Sequence, residues 1–457
     1  MKPASVRRAA GRALAASGSG QAIAMAATFA STLMLARMLA PSDLGLYYLY
    51  SVVALFAPMI ARLGQDRVIV RELAAHEHLR NVTAIRVLAS SLTVNAVAAI
   101  ILATLVALTL PIVARELFGA GEAAATGVLV GLWVLFESLR LVPSEAQRGM
   151  RRHGLATIVG SPGRTVIFAV LVGAVWIATL GSPTQTSLKL VLALSLGASA
   201  VTFLVGLLFL LVEMRRAPVQ SGFPHREDML RQAKAGALIA TVGAVALGIT
   251  QADTWVVGAF FGTEDAAAYG AAVRVASLAL APILVSQLLL QPYVVRFRLR
   301  HEDARLESLL RCAATVGFVL LATSTALIAA LGGWLLPLFF GEFFSQSHWP
   351  AVILMSGLTI AAGLGPAFQT VVMAGGSDRA VLGVMSAVAT ITIISELTVA
   401  GVSVLAVATA SGVGSVLQGF GGWWLARTRL DLDTRLYLSP RQFVRAARAT
   451  GIVSGAA

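Results

Sequence analysis

The stretch QADTWVVGAFFGTEDAAAYGAAVRV, residues 251–275, consists of two apolar runs joined by a short polar turn at 262–265. The turn combines a glycine with acidic residues, which is typical of a connection between two helices. Each apolar run nevertheless contains one full charge, Asp253 in the first and Arg274 in the second. The question is which solvent surrounds such a hairpin and what its two charges do.

The composition answers the first part of this question. Of 457 residues, 57% are hydrophobic and only 12% are charged, whereas an average soluble domain contains roughly 25% charged residues. The mean hydropathy is +0.82. A soluble chain of this length would need a polar surface that these residues cannot supply, but apolar segments of about 20 residues need none inside lipid. The sequence therefore predicts a polytopic, all-α membrane protein.

Apolar runs of spanning length occur twelve times along the chain. The predicted transmembrane helices cover residues 18–40, 44–63, 87–111, 123–143, 165–182, 187–212, 236–261, 266–291, 312–336, 350–374, 380–400 and 402–426.

Basic residues alternate with the predicted spans. The N-terminus, the C-terminal tail and the connections 62–86, 144–164, 213–235 and 296–311 are rich in arginine, whereas the intervening connections contain only Arg37, Arg115 and Lys189. Because cytoplasmic loops carry the excess of basic residues, both termini are predicted to be cytoplasmic. This topology accounts for the net charge of +13, so no nucleic acid partner is expected.

The chain also aligns with itself when it is shifted by 222 residues. At this shift Asp43 matches Asp265, Tyr47 matches Tyr269, and APSDLGLYY matches GTEDAAAYG at equivalent turns. Two parallel six-helix repeats around a central cavity are predicted, because an even number of spans gives both halves one orientation. The predicted parts are a cytoplasmic N-terminal segment, 1–17, an N-terminal six-helix half, 18–212, a cytoplasmic linker, 213–235, a C-terminal six-helix half, 236–426, and a basic cytoplasmic tail, 427–457.

Two stretches resemble a known family. LARMLAPSDLGLYYLYSVVALFAPMIARLG, residues 35–64, is similar to the opening of polysaccharide-transport flippases, and residues 251–275 resemble the start of their second half. The resemblance extends over roughly residues 15–426. It points to the oligosaccharide (O-antigen) flippase branch of the superfamily that also contains the lipid II flippase and the multidrug and toxin extruders. The chain departs from some members in having twelve predicted spans instead of fourteen.

The resemblance implies a function. Such a protein moves an undecaprenyl-pyrophosphate-linked oligosaccharide from the inner to the outer leaflet of the bacterial cytoplasmic membrane, for lipopolysaccharide or exopolysaccharide assembly. It implies a lipid-linked oligosaccharide and membrane lipids as partners, with a polysaccharide polymerase or other assembly proteins as further candidates. The halves are expected to rock in alternating access, with bending points at Pro58, Pro282, Gly363, Gly365 and Pro366.

The two charges of the opening hairpin are predicted to share one depth. Asp253 and Arg274 each lie 10.5 positions from the centre of the turn, which places both about 16 Å from the outer end of their helices. Each charge alone would cost roughly 2.5 to 3.5 kcal/mol there, so they are expected to face the protein interior and each other. One interpretation is a structural salt bridge between spans seven and eight. The other is that Arg274 binds a pyrophosphate and Asp253 competes for Arg274 until a proton or cation releases it.

Other polar residues in the spans are weaker candidates. Glu137 and Arg140, three positions apart on span four, are expected to neutralise each other, with a role in the cavity as the alternative. The remaining candidates for bonds to sugar hydroxyls, or simply to neighbouring helices, are Gln21, Gln251, Gln287, Gln291 and Glu396. Histidines lie in connections without metal-ligand spacing, so no metal site is predicted, and no phosphate-binding loop occurs, so nucleotide hydrolysis is not expected. A transporter without a cofactor or enzymatic activity is predicted.

Three alternatives stay open. A cation-coupled multidrug exporter of the same superfamily would share the fold and differ in cargo. LGQDRVIVRE, residues 63–72, faintly resembles a loop of the major facilitator superfamily, of which only Asp66 and Arg67 fit. A membrane-embedded polysaccharide polymerase or ligase would need a catalytic surface, but the longest outer connections, 112–122 and 337–349, offer few candidates: Arg115, Glu116, Glu122, Glu342 and His348.

Overall fold

The computed structural model consists of helices and their connections. It describes residues 3–62, 64–65, 69–70, 73, 82–119, 123–150, 152–179, 186–215, 241, 245, 248, 251–373 and 378–449. Its helices are α1 (Pro3–Met38), α2 (Pro41–Ala61), α3 (Val82–Phe118), α4 (Ala123–Leu139), α5 (Leu141–Gly149), α6 (His153–Val159), α7 (Ser161–Thr179), α8 (Leu188–Arg215), α9 (Thr263–Leu299), α10 (Asp303–Phe340), α11 (His348–Gly363), α12 (Ala367–Met373), α13 (Asp378–Val399), α14 (Val404–Leu430) and α15 (Pro440–Ala449). A further helical stretch covers 251–261.

Ten of the described helices are long and apolar enough to cross a membrane, and the bent pair formed by 342–363 and α12 makes an eleventh candidate. Each corresponds to one predicted span. The remaining predicted span, 236–261, is described in full only from residue 251 onward. An all-α, multi-pass membrane protein is therefore confirmed.

The outer surface of the helices is also that of a membrane protein. Large aliphatic side chains are widely exposed, such as Leu108 at 67% and Ile112 at 63% on α3 and Ile177 at 66% on α7. In water such a surface would cause aggregation, whereas lipid covers it at no cost.

The chain forms two compact units. The first comprises Met1–Ala244 and Gly262–Ala267, and the second comprises Val245–Phe261 and Ala268–Ala457. In the first unit α4 lies against α3, and a Cβ atom at Gly131 would lie 2.7 Å from the carbonyl oxygen of Ala103. In the second unit α11 lies against α14, and a Cβ atom at Gly357 would lie 2.5 Å from the carbonyl oxygen of Gly412. Both units thus use glycine to bring helix backbones together, as membrane helices commonly do.

Helix boundaries in the two units agree with the predicted shift of 222 residues. Helix α2 begins at Pro41 and α9 at Thr263, while α3 ends at Phe118 and α10 at Phe340. The structural repeat itself stays a prediction.

One predicted span is broken. Helices α11 and α12 meet at an angle of 46°, and Gly365 between them adopts a positive φ of +86°. The bend coincides with three of the expected bending points, Gly363, Gly365 and Pro366. The other two, Pro58 and Pro282, lie inside continuous helices, α2 and α9.

A C-terminal strap, which we define as residues 431–439, crosses this bend. The backbone N–H of Leu436 donates to the carbonyl of Gly363 at 2.8 Å, and the hydroxyl of Thr434 donates to the carbonyl of Leu364 at 2.6 Å. These acceptors lie where the broken helix leaves backbone carbonyls without helical partners. Helix α14 continues to Leu430, and the strap and α15 belong to the second unit. The predicted cytoplasmic tail, 427–457, stays a prediction.

The connection predicted at 144–164 is also different in the structure. Most of it is helical, in α5, α6 and the first turn of α7. Apolar residues such as Ala146, Ala156 and Val159 are buried there, so packing overrides the polar character that suggested a loop. This difference is important because the segment brings Arg164 into the interior of the first unit.

Candidate functional site

A group of charged side chains, the basic cluster, lies inside the first unit and consists of Glu137, Arg140, Arg164 and Ser199. Glu137 is at the end of α4, and Arg140 follows it at the junction with α5. The guanidinium of Arg140 makes a two-pronged contact with Glu137, in which Nε donates to Oε2 at 2.8 Å and Nη2 donates to Oε1. The two residues thus form the local ion pair that their spacing predicts, and a role in the cavity stays a prediction.

A second guanidinium shares the same carboxylate. Nε of Arg164, on α7, lies 3.6 Å from Oε2 of Glu137 and donates to the Ser199 hydroxyl at 3.3 Å. That hydroxyl, on α8, donates in turn to Glu137 at 2.8 Å. Three elements from distant parts of the chain thus meet at one buried carboxylate.

Aromatic rings surround Arg164. Its guanidinium carbon lies 5.3 Å from the ring centre of Trp133 and 5.5 Å from that of Phe168. Tyr47 stacks against both rings, with centroid distances of 6.2 Å and 6.3 Å. The rings stabilise the cation through cation–π attraction.

The basic cluster has more positive than negative charge. Two guanidinium groups face a single carboxylate, and Arg140 is only 2% exposed. Nη1 of Arg140 and Nη2 of Arg164 are buried and make no hydrogen bond within the described part of the chain. Because buried donors without acceptors are costly, these groups favour an anion or water beside them.

Arg164 is not among the predicted site residues, because it lies in the connection 144–164, which is predicted to be cytoplasmic. One signal was available, since Arg164 directly precedes the predicted span 165–182. Extending that span by one helical turn would have placed the arginine inside it.

A second polar group, the acidic network, lies inside the second unit and consists of Asp253, Thr254, Tyr269, Ser411 and Glu396. Asp253 is 2% exposed. Its Oδ2 accepts hydrogen bonds from the Tyr269 hydroxyl at 2.8 Å and the Ser411 hydroxyl at 2.9 Å. Its Oδ1 accepts bonds from the backbone N–H and the hydroxyl of Thr254. Neutral donors from three elements therefore occupy the whole carboxylate.

The expected contact between Asp253 and Arg274 is wrong. No ion pair joins these two described residues; instead Nη1 of Arg274 donates to the carbonyl of Gly270 on its own helix, at 3.0 Å. The reason is helical geometry. Tyr269 faces Asp253, and a residue five positions later points about 140° away around the helix. Equal depth along two helices does not put two side chains on facing sides.

Glu396 is the unusual member of the acidic network. It lies on α13, is fully buried, and both of its carboxylate oxygens lack a hydrogen-bond partner among the described residues. An isolated ionised carboxylate is very costly in a low-dielectric interior. A proton or a cation at this carboxyl would remove that cost.

The glutamines predicted as ligands differ in their surroundings. Gln287, on α9, lines a cavity of the second unit. Gln21 and Gln251 are half-buried and make no hydrogen bond within the described residues. Gln291 lies on α9, but its side chain is outside the described part of the structure, as are Asp66 and Arg67.

The second unit has a partly open cavity of about 300 Å³ at the bend between α11 and α12. Besides Gln287, its wall includes Gln369 from α12 and Gln418 from α14. Sequence analysis did not single out these last two as ligands, because neither lies near a charge or in a recognisable motif.

The sequence was compared with models of known protein families. A family model described as polysaccharide biosynthesis protein matches residues 11–298, more than half of the chain. The chain belongs to the polysaccharide biosynthesis protein family. The resemblance to polysaccharide-transport flippases is thus confirmed at the level of the family. No curated protein sequence matches the chain.

Several solved structures share this fold, and among them are transporters described as members of the MOP superfamily. An inward-facing multidrug resistance MATE family transporter is 16% identical with a TM-score of 0.64, and the match covers 94% of this chain and 96% of the other. A MATE protein in complex with MaL6 is 15% identical with a TM-score of 0.62, covering 92% and 96%. A MOP superfamily transporter from Pyrococcus furiosus, described as having a binding pocket of reverse polarity, is 16% identical with a TM-score of 0.61, covering 92% and 95%. At these identities the likeness shows the fold, and family and fold together indicate a membrane transporter.

Proposed function

We propose that this member of the polysaccharide biosynthesis protein family is a flippase in the bacterial cytoplasmic membrane, with both termini cytoplasmic. Its cargo is an undecaprenyl-pyrophosphate-linked oligosaccharide, which moves to the outer leaflet by alternating access of two six-helix halves around a central cavity. The product would serve cell-surface polysaccharide assembly, with a polymerase or other assembly proteins acting next.

The basic cluster is the observation that carries this proposal. Two guanidiniums, Arg140 buried and Arg164 half-buried, share the single carboxylate of Glu137, and each has a donor nitrogen without a partner among the described residues. Such forked donors match phosphate oxygens better than any neutral ligand. We assign pyrophosphate contact first to Arg164, whose side chain is 16% exposed, against 3% for Arg140. Arg274 stays a further candidate.

An anionic cargo also supplies a driving force. Each negative charge that moves outward across an inside-negative membrane releases about 2.3 kcal/mol per 100 mV. A pyrophosphate head group can therefore be moved in part by the membrane potential.

The acidic network would supply coupling to a cation. The earlier hypothesis of competition between Asp253 and Arg274 no longer applies, because these residues do not pair. We infer instead that the two buried carboxyl groups of this network, Asp253 and Glu396, together take up a proton or metal cation during the cycle. Glu396 is close enough to Asp253 for their charges to interact, and its carboxylate oxygens have no hydrogen-bond partner among the described residues. A change of charge there alters the stability of the second unit, which can bias one conformation over another.

A cation-coupled multidrug exporter of the same superfamily is the second candidate, supported by the fold shared with MATE transporters. The two candidates differ in the cargo that the basic cluster tolerates. An excess of buried guanidinium attracts anions and repels the organic cations that many exporters carry. A membrane-embedded polymerase or ligase receives no support of this kind.

The decisive experiment depletes the protein in its host and measures undecaprenyl-linked saccharides by mass spectrometry, with leaflet accessibility probed on sealed spheroplasts. A flippase predicts that completed units accumulate in the cytoplasmic leaflet. Units that still reach the outer leaflet would refute the proposal, and loss of dye efflux in the same cells would support the exporter.

Complementation with variants tests the basic cluster. Arg164→Gln is expected to reduce translocation at least tenfold at equal membrane abundance, and Arg164→Lys should restore it only in part because it keeps the charge without the fork. Arg305→Gln is the matched control, since Arg305 pairs with Glu302 at 2.8 Å with its side chain 66% exposed. Equal translocation by Arg164→Gln and Arg305→Gln would exclude this role of Arg164.

A further inference from the structure

The cavity at the bend of the second unit has a lining that nothing in the basic cluster or the acidic network explains. Three glutamine side chains, Gln287, Gln369 and Gln418, reach it from three different helices. All three are half-buried, and none makes a hydrogen bond with another described residue. Each amide offers two donors and one acceptor, so the cavity presents many free hydrogen-bonding groups and no charge.

The rest of the wall is suited to a flat, compact ligand. Phe368 presents an aromatic ring, and most of the other wall residues are alanine, glycine, leucine or isoleucine. A Cβ atom at Gly422 would lie 2.9 Å from the Phe368 ring, so the glycine permits the position of the ring. Pockets that bind small ligands combine an apolar wall with a few fixed polar groups in this manner, and they begin at about 300 Å³.

We propose that this cavity is a subsite for neutral carbohydrate, which holds one or two sugar units of the cargo through Gln287, Gln369 and Gln418. The inference rests on the proposed function and adds to it which part of the cargo the second unit binds. Sugar hydroxyls both donate and accept, as the amides do, and the apolar face of a sugar ring packs against an aromatic ring.

Other occupants fit less well. A lipid acyl chain in the cavity would leave the three glutamine amides buried without hydrogen-bond partners, and each amide would then cost free energy of desolvation. A cationic ligand or a phosphate would find no countercharge, because the described residues of the wall include no acidic or basic side chain.

The cavity is also adjacent to the acidic network. Ser415, in its wall, donates to the backbone carbonyl of Ser411 at 3.3 Å, and the Ser411 hydroxyl donates to Asp253 at 2.9 Å. Only one turn of α14 therefore separates the cavity wall from the serine that bonds Asp253, one of the two carboxyl groups assigned to coupling.

The test is binding of soluble saccharide to the purified full-length protein in detergent. The probe is the neutral oligosaccharide released by mild acid from the host's lipid-linked pool, and inorganic pyrophosphate is the second probe. Single variants Gln287→Leu, Gln369→Leu and Gln418→Leu each remove an amide at similar volume, and Ala362→Phe fills the cavity. Gln346→Leu is the control, because Gln346 is exposed and outside the cavity wall.

We expect each cavity variant to weaken saccharide binding roughly tenfold, the effect of losing one well-placed hydrogen bond to a buried partner. Pyrophosphate binding and the control variant should be unchanged. Saccharide binding that is absent in the wild type, or equal in all variants with unchanged thermal stability, overturns the subsite. The spheroplast experiment separates the two proposals. If saccharide binding fails but depletion still traps units in the cytoplasmic leaflet, only the subsite is refuted. If saccharide binding fails and units reach the outer leaflet without this protein, the flippase is refuted as well.

Discussion

The charge balance of the basic cluster makes a quantitative prediction about Glu137. In the variant Glu137→Gln, two guanidiniums lose their shared countercharge while Arg140 stays 2% exposed. An amide can accept one of their hydrogen bonds but cannot neutralise either cation. Removing one partner of a buried ion pair costs about 3–5 kcal/mol, so the free energy of unfolding should fall by that amount.

The same reasoning predicts how a second substitution behaves. Arg140→Gln in the Glu137→Gln background removes one of the stranded cations, and Arg164 keeps its contacts with Ser199 and the rings of Trp133 and Phe168. The double variant should therefore be more stable than the sum of the single effects predicts, by about 1.5–3 kcal/mol. The double-mutant cycle compares the wild type, Glu137→Gln, Arg140→Gln and the double variant. Their free energies of unfolding are measured by chemical unfolding in detergent, followed by tryptophan fluorescence.

Glu302→Gln is the control, because Glu302 and Arg305 form an ion pair with the same spacing of three residues while the Arg305 side chain is 66% exposed. Its effect should stay within about 1 kcal/mol. Glu137→Gln could instead lower the free energy of unfolding as little as Glu302→Gln does, or the effects of Glu137→Gln and Arg140→Gln could simply add in the double variant. Either result would show that the two guanidiniums are well hydrated. The argument that they seek an anion would then fail.

Three further predictions concern other parts of the molecule. Gly357→Ala should lower the free energy of unfolding by about 1–3 kcal/mol, because the added Cβ atom would clash with the backbone of the facing helix. Gly197→Ala is the control, since a Cβ atom there meets nothing within 4 Å, and it should be neutral or stabilising by up to about 1 kcal/mol. The same unfolding assay compares the two variants. Partial burial alone would raise the pKa of Asp433, but hydrogen bonds from Arg435 and from the Trp423 indole outweigh it and lower the pKa from 3.8 to about 2. The strap is therefore stabilised above pH 3.8 and should loosen as the pH falls toward 2; tryptophan fluorescence should report this transition in the wild type and lose it in Asp433→Asn. Asp253→Asn keeps an acceptor for the Thr254 N–H and should fold, but its transport should lose dependence on the coupling cation; full transport with wild-type pH and sodium profiles would exclude Asp253 from coupling.

The spans and the local ion pair could be predicted from sequence because both depend on short-range information. Apolar length alone defines a membrane helix, and the contact between Glu137 and Arg140 follows from a spacing of three residues on one helix. The bend at Gly363 to Pro366 was likewise visible as a cluster of residues that interrupt helices.

The long-range contacts could not be predicted for a physical reason. Ser411 is 158 residues from Asp253, and Ser199 is 62 residues from Glu137. Choosing such partners requires knowing how each helix is rotated about its axis. A soluble helix reveals this through its polar face, but a helix that is apolar all round does not. The wrong pairing of Asp253 with Arg274 arose in this way.

The two units bury opposite charge imbalances, and this limits how transport can be coupled. The basic cluster has one guanidinium more than its carboxylate can neutralise, whereas neither Asp253 nor Glu396 has an ion pair among the described residues. An anionic head group would satisfy the first, and a proton or cation the second. The two ligands would satisfy different groups, so they would not compete for the same side chains. In the proposed alternating-access cycle, the two ligands would influence each other when each binds one conformation more tightly, so the proposed coupling would be a difference in affinity between inward-facing and outward-facing states. By this reasoning Arg164→Gln should weaken cargo binding while leaving cation binding to the second unit intact, and Asp253→Asn should do the reverse. A loss of both affinities in either single variant would contradict the separation of the two roles.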